Sequence, residues 1–125
     1  MSSGNIQVSV EGFRAQLASE TDAMRVELIG NAESDTKPYL DQFFEAVHLR
    51  ALSDKCRSIA VDLKSLQFMS SSCFKSFVTW LALVQGLAPE ARYQIDFTYN
   101  PKIRWQRASL SALSCFALNT VRISM

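Results

Sequence analysis

The chain is poor in the residues that most catalytic and metal-binding motifs require. It has one histidine, three cysteines and four glycines among 125 residues. A serine or cysteine nucleophile needs a general base beside it, and the chain has only one histidine that could act as that base. Four glycines form no glycine-rich phosphate loop. We therefore predict that the chain is not an enzyme and takes no cofactor.

The cysteines are also few and widely spaced. Cys56, Cys73 and Cys115 are odd in number and lack the paired spacing of a disulfide framework or a zinc site. This favours a reducing cytosol over a secreted protein and predicts no metal site. The opening residues Met-Ser-Ser-Gly-Asn contain no basic region followed by an apolar stretch, so we expect no secretion signal.

Charge imbalance and long apolar runs are missing as well. With 13 basic and 12 acidic residues, the chain lacks the electrostatic footprint of a nucleic-acid-binding protein. Lys75 interrupts the longest apolar run, so we predict no membrane span and a cytoplasmic location. A hydrophobic content of 48% over 125 residues suits one domain, residues 1–125, with residues 1–4 as a loose tail.

The most informative stretch runs from Ile59 to Phe74. Ile59, Val61 and Leu63 are typical of a buried strand, expected at about 58–63. A serine triplet, residues 70–72, then supplies hydroxyls that can accept hydrogen bonds from the free N–H groups of a helix start. We expect a strand, a tight turn and a helix that ends near Gly86.

The front third alternates apolar and polar residues, which predicts three strands before Gly30, arranged as a meander or as a hairpin with an extra edge. Residues 19–22 are predicted to form a turn. The strands are indicated by Ile6, Val8 and Val10, by Phe13, Ala15 and Leu17, and by Met24, Val26 and Leu28.

The remaining elements alternate between helix and strand. Pro38 predicts a helix entry, and the helix should end near residues 53–55. A strand is expected around Ile95, a helix starting at Asn100-Pro101, and a last strand at residues 121–124. This order predicts an α/β fold with a mixed or parallel sheet of about four to six strands and about three helices.

The order of elements and the central turn resemble the STAS domain family, the fold of bacterial anti-sigma factor antagonists. Those proteins have a strand with an Asp-Leu-type pair, then Phe-x-Asp-Ser-Ser-Gly-Leu at a helix start. The matching segments here are Val61-Asp62-Leu63 and Phe68-Met69-Ser70-Ser71-Ser72-Cys73-Phe74. Gly30 resembles the glycine that ends the family's second strand, and the resemblance extends from about residue 5 to 124.

The resemblance implies a regulatory role through protein binding. In the family, a partner kinase phosphorylates the first serine after the aspartate, which corresponds to Ser71, and this breaks binding to that partner. The implied partner is an anti-sigma factor and serine kinase of the histidine-kinase-like ATPase type. The chain departs from the family at Ser70, where the family has aspartate, and at Cys73, where it has glycine. The latter indicates a turn that no longer needs a positive φ, or a diverged turn.

Several of these residues also have plainer interpretations. Ser70, Ser71 and Ser72 suit helix capping alone. Cys73, Trp80, Val84 and Leu87 share a helix flank, which is either a wide buried face against the sheet or an apolar docking surface for a partner.

Trp105 and Phe116 make a weaker docking case on the last helix. We expect Cys73 to be an inert packing residue rather than a reactive thiol. His48, on the first helix, is expected at the boundary of the core. Asp62 is expected to cap a loop rather than to bind a cation.

Three hypotheses follow for function. The first is a partner switch controlled at Ser71. The second is a STAS-like scaffold that has lost the switch and forms homo- or hetero-oligomers through its apolar helix flank. The third, a small hydrolase using Ser71 or Cys73, lacks a base.

Overall fold

The computed structural model describes residues 6–19 and 23–125. The predicted loose tail and most of the predicted turn at 19–22 lie outside these residues. The described chain contains six strands and three α-helices in the order β1 (Gln7–Val10), β2 (Phe13–Ser19), β3 (Ala23–Ala32), α1 (Lys37–Ser53), β4 (Ser58–Met69), α2 (Ser71–Gln85), β5 (Gln94–Thr98), α3 (Arg104–Phe116) and β6 (Val121–Ser124).

The six strands form one mixed sheet whose spatial order follows the chain order, β1 to β6. β1, β2 and β3 pair antiparallel, whereas β3, β4, β5 and β6 pair parallel through helical crossovers. The predicted α/β class, strand count and helix count are confirmed. The meander, rather than a hairpin with a separate edge, is the arrangement of the first three strands.

Alternate residues of the strands point into one core beneath the helices. On β4, Ile59, Val61 and Leu63 are buried against helical residues, while Ser58 and Ala60 are only half-buried on the other face. This alternation places the three helices on one side of the sheet and leaves the other side open. Five aromatic residues of the core form a series of ring contacts that links α1, α2 and β5: Phe43, Phe44, Phe77, Trp80 and Phe97.

Strand β4 is longer than the sequence predicted. The sequence pattern predicts a strand at about 58–63 and then a tight turn, but β4 continues to Met69, next to the Ser70 cap of α2. The register against β3 shifts twice, with Glu27 opposite Asp62, Ile29 opposite Ser65, and Asn31 opposite Phe68. Each shift accommodates one extra residue in β4, as a β-bulge does, and the bulges break the alternation that a sequence pattern relies on.

Helix α3 begins later than predicted. Asn100 and Pro101 were expected to start it, but the helix begins at Arg104. The Asn100 side chain instead accepts a hydrogen bond from the Lys102 N–H (2.9 Å), which forms a turn. Its amide nitrogen donates to the carbonyl oxygen of Lys64 (3.2 Å). Asn100 therefore ties the loop to β4 rather than capping the helix.

Gln106 holds the far half of β4 in place. Its side-chain nitrogen donates to the carbonyl oxygens of Leu63 (2.6 Å) and Leu66 (2.8 Å), and its oxygen accepts from the Asn100 N–H (2.8 Å). The residue is fully buried. Because β5 pairs with β4 only as far as Asp62, these carbonyls have lost their ladder partner, and Gln106 replaces it.

His48 belongs to a buried polar chain rather than to the edge of the core. Trp80 Nε1 donates to the Tyr93 hydroxyl (2.9 Å), and the hydroxyl oxygen lies 2.7 Å from His48 Nδ1. Since Tyr93 accepts from Trp80, its own proton is available to His48, which suits the neutral imidazole. Burial also lowers the pKa of His48. The expected boundary position is wrong, because this hydrogen bond compensates the burial of the ring.

In the part of the chain that the structure describes, no helix combines the length and the apolar content needed to cross a membrane.

Gly30 occupies a position that requires glycine. Its φ is +99°, and a Cβ there would overlap the backbone oxygen of Gly12. We predict that Gly30→Ala lowers the free energy of unfolding by at least about 2 kcal/mol, because both the backbone and Gly12 would have to shift. Chemical denaturation monitored by circular dichroism measures this change.

Gly86→Ala is the matched control. Gly86 has φ −74°, and a Cβ there would make only ordinary contacts. We expect this variant to be neutral or to gain up to about 1 kcal/mol. Equal effects of the two substitutions would contradict the requirement for glycine at position 30.

Candidate functional site

The candidate site lies at the sheet edge where the parallel strands end. β3, β4, β5 and β6 run in the same direction, so their carboxyl ends share one edge. The crossover helices start from that edge, because each follows a strand end. In open α/β sheets this edge is where functional groups gather. Ser70 and the start of α2 follow Met69 of β4 directly.

Ser70 is the residue that caps α2. Its Oγ accepts a hydrogen bond from the Cys73 N–H (3.1 Å), and its carbonyl oxygen accepts from the Phe74 N–H (3.0 Å). Its own N–H donates to the carbonyl oxygen of Ala32 at the end of β3 (2.8 Å). Ser70 is also buried. The capping role predicted for the serine triplet is therefore confirmed at Ser70.

Ser71 and Ser72 have different surroundings. Ser71 is the first residue of α2 and is exposed, while Ser72 is half-buried. N–H groups in a first turn have no acceptor within the helix, and the helix dipole makes this end positive. Lys75 is exposed one turn later on the same face of α2 as Ser71. The Ser71 hydroxyl is thus open to chemistry at a position that favours negative charge.

Cys73 is a packing residue. It is fully buried in the first turn of α2, and its Sγ lies 3.2 Å from the carbonyl oxygen of Glu33, to which it donates. Burial raises the pKa of the Cys73 thiol. The residue lies inside a right-handed helix, so this turn does not need the positive φ that glycine would allow.

The predicted docking flank is not a surface. Cys73, Trp80 and Val84 are 0%, 1% and 0% exposed, and Leu87 is half-buried. Trp80 stacks on Phe44, with ring centroids 4.5 Å apart. Because α2 is covered by both α1 and the sheet, its apolar face is wider than that of an ordinary surface helix. For Cys73, Trp80 and Val84 the docking interpretation is corrected: they form the buried face.

Apolar surface is present elsewhere on the same edge. Phe68, two residues before Ser70, is 43% exposed. Trp105 is half-buried, and its Nε1 donates to the carbonyl oxygen of Gln67 (2.8 Å), next to Phe68. Phe116 is 46% exposed, but it lies at the opposite end of α3. Sequence reasoning missed Phe68, because a strand that was expected to end at 63 gave no reason to place it.

Asp62 stabilises the first bulge of β4. One carboxylate oxygen accepts from the Lys64 N–H (2.9 Å), and the other lies 3.1 Å from Arg25 Nη2. The predicted loop-capping role is therefore wrong, because β4 continues past Asp62 to Met69 and the residue lies within the strand at a bulge. In residues 6–19 and 23–125, no three histidine, cysteine or acidic side chains come together as a possible metal site.

The comparisons with known proteins identify the fold. No protein-family model matches the chain, and no curated protein matches its sequence. The chain is similar to the crystal structure of an anti-sigma factor antagonist from Mycobacterium paratuberculosis, with a TM-score of 0.65 and 16% sequence identity. The match covers 93% of this chain and 88% of that one. The chain therefore has a STAS-type fold, which confirms the resemblance at the level of structure.

The capping geometry predicts different effects for two adjacent serines. Ser70→Ala removes the acceptor for the Cys73 N–H and should lower the free energy of unfolding by about 1 kcal/mol. Ser71→Ala is the matched control, and its effect should stay within about 0.5 kcal/mol, since the side chain is exposed. Urea denaturation of both variants tests this. An equal loss for Ser71→Ala would show that Ser71 is also a structural residue.

The thiols provide a second prediction. Cys56 and Cys73 are buried, and burial raises the pKa of both thiols, whereas Cys115 is exposed. We expect the native protein to react rapidly with Ellman's reagent at one thiol, and Cys115→Ser to abolish this reaction. Unfolding in guanidinium should expose the remaining two. Rapid reaction of native Cys115→Ser, mapped to Cys73, would contradict its packing role.

Proposed function

We propose that the chain is a non-catalytic regulatory protein of the anti-sigma factor antagonist kind, and that phosphorylation of Ser71 controls its binding to a partner. The observation that carries the proposal is the difference between two adjacent serines at the start of α2. Ser70 caps the helix from a buried position, whereas Ser71 is exposed. Capping alone does not account for Ser71. The fold shared with an anti-sigma factor antagonist supports the same role.

The physical mechanism is a change of charge on a preserved fold. A phosphate on Ser71 would add nearly two negative charges and three acceptor oxygens. The free N–H groups of the first turn, the positive helix end and Lys75 would stabilise it locally. For a partner docked over Ser71, the same charge would make the binding free energy less favourable through desolvation and repulsion. The protein would stay folded while the complex dissociates.

The proposed partner surface consists of exposed and half-buried residues at the same end of the sheet as Ser71. Phe68 and Trp105 supply apolar area at this edge, and Lys75 supplies a cation. Aromatic side chains are frequent anchors of protein interfaces. The proposed partner is an anti-sigma factor that is also a serine kinase of the histidine-kinase-like ATPase type. Unmodified protein would capture this partner and release what the partner inhibits.

A passive scaffold is the second candidate. It is favoured by Ser70, which stands where the family has aspartate and which serves here as a buried cap. A scaffold of this kind would assemble as a homo- or hetero-oligomer irrespective of charge at Ser71.

A pair of variants at Ser71 separates the two candidates. Asp and Asn have nearly the same shape and differ in charge. We predict that Ser71→Asp weakens partner binding by at least about 100-fold, because a charge penalty of about 3 kcal/mol at an interface has this effect. Ser71→Asn should weaken it by less than about tenfold. The measurement is calorimetric titration with each purified kinase of the named class from the source genome.

Stability provides the internal control for this experiment. Ser71→Asp should be at least as stable as Ser71→Asn, since a negative charge at a helix start is favourable by about 0.3–1 kcal/mol. Loss of binding would then reflect the surface rather than unfolding. Equal binding by the two variants would support the scaffold. If no kinase of this class binds the unmodified protein, the proposed partner is wrong.

A further inference from the structure

Helices α1 and α2 enclose a groove that the proposed switch does not use. Its volume is about 410 Å³. Its floor consists of Phe44, Ser76 and Trp80, and Thr79 and Leu83 lie on its α2 side. The groove is large enough for one bulky side chain and is open to solvent along the two helices.

Ser76 is the unusual member of this floor. It is only 1% exposed, and its Oγ has no hydrogen-bond partner among the described residues. Buried hydroxyl groups are normally paired, since an unpaired one keeps its desolvation cost without compensation. A binding partner that supplies a donor or an acceptor in the groove would remove this cost.

The groove continues from the proposed switch. Ser72, Ser76, Thr79 and Leu83 are spaced by four, three and four residues, so they lie along one face of α2 that begins next to Ser71. On α1, Lys37 and Asp41 are one helical turn apart and line the other side of the groove. Both helices start from the same sheet edge. A protein bound at Ser71 would therefore lie at the mouth of the groove.

The charges and the exposed apolar group of the groove limit what it can accept. Lys37 and Asp41 form an ion pair (2.7 Å), and Glu45 adds a carboxylate, so the lining has a net charge of −1. Leu83 is 42% exposed at its side. This combination suits an aromatic or aliphatic side chain with a hydrogen-bonding group, followed by a basic residue.

We propose that the groove between α1 and α2 receives an anchor side chain of the partner protein that Ser71 controls. The anchor is a tyrosine-like residue, apolar with a polar tip that pairs with the Ser76 hydroxyl, and a basic residue beside it faces Asp41 and Glu45. This inference rests on the proposed function. It extends the interface from the serine at the helix start to the length of α2.

The first test blocks the groove with a bulky side chain on its α2 side. Thr79→Arg places a long side chain across the groove, and Ala82→Arg is the matched control, because Ala82 is exposed on the same helix and does not line the groove. The titrant is the purified kinase of the histidine-kinase-like ATPase class that binds the unmodified chain. Thr79→Arg should weaken binding at least about tenfold, and Ala82→Arg should change it by less than about twofold.

The second test uses one substitution that should raise the stability of the chain and lower its affinity for the partner. Ser76→Ala removes a buried unpaired hydroxyl, so the denaturation midpoint should rise. It also removes the partner of the anchor, so affinity for the same kinase should fall about fivefold to tenfold. A higher midpoint with unchanged affinity would overturn the proposal, because Ser76 would then be structural only.

The outcomes also separate this inference from the proposed function. If Ser71→Asp abolishes binding while Thr79→Arg and Ser76→Ala do not weaken it, the switch stands and the groove is not part of the interface. If none of the kinases binds the unmodified chain, both proposals fail together. Weakened binding by Thr79→Arg and Ser76→Ala, with Ala82→Arg unchanged, supports the groove.

Discussion

The position of the serine triplet, residues 70–72, depends on which groups donate hydrogen bonds to the last carbonyl oxygens of β4. β4 is paired on both sides only to Asp62, and beyond that point its β5 side has no ladder. Side chains from the start of α3 take over, with Gln106 bonded to Leu63 and Leu66, and Trp105 bonded to Gln67. These bonds allow a twelve-residue strand to continue to the cap of α2. Without them, the buried carbonyl groups of Leu63 and Leu66 would lose these partners, and the end of β4 would be held by its β3 ladder alone.

This fixed strand end gives two adjacent serines different surroundings. Ser70 is buried and completes the hydrogen bonds of the helix start, so its chemistry is internal. Ser71 is exposed at the positive end of the same helix, where added negative charge does not oppose folding. A regulatory modification needs such a position, because it must alter the surface without destabilising the domain. The proposed switch and the proposed groove both follow from the direction in which α2 leaves the sheet.

Much of the fold could be predicted because its strands alternate cleanly. Val121–Ser124 and the three front strands are the elements that the pattern indicated, since one face of each is more buried than the other. The end of β4 and the start of α3 could not be predicted, because bulges and side-chain hydrogen bonds from distant residues decide them. One feature of the sequence points to Gln106: it shares a helical face with Leu110 and Leu113. That position indicates a buried polar group but does not identify its hydrogen-bond acceptors.

At the candidate site, the sequence located the serine turn but not the partner surface. Trp80 and Val84 share their flank with buried residues, and no pattern on one helix reveals that α1 covers that flank from the other side. The proposed switch requires that Ser71 is phosphorylated reversibly. The direct measurement is incubation of the purified protein with ATP and each serine kinase of the histidine-kinase-like ATPase class from the source genome, followed by mass-spectrometric mapping. The expected result is phosphate on Ser71, whereas phosphate confined to other residues, or none with any kinase, would contradict the proposed switch.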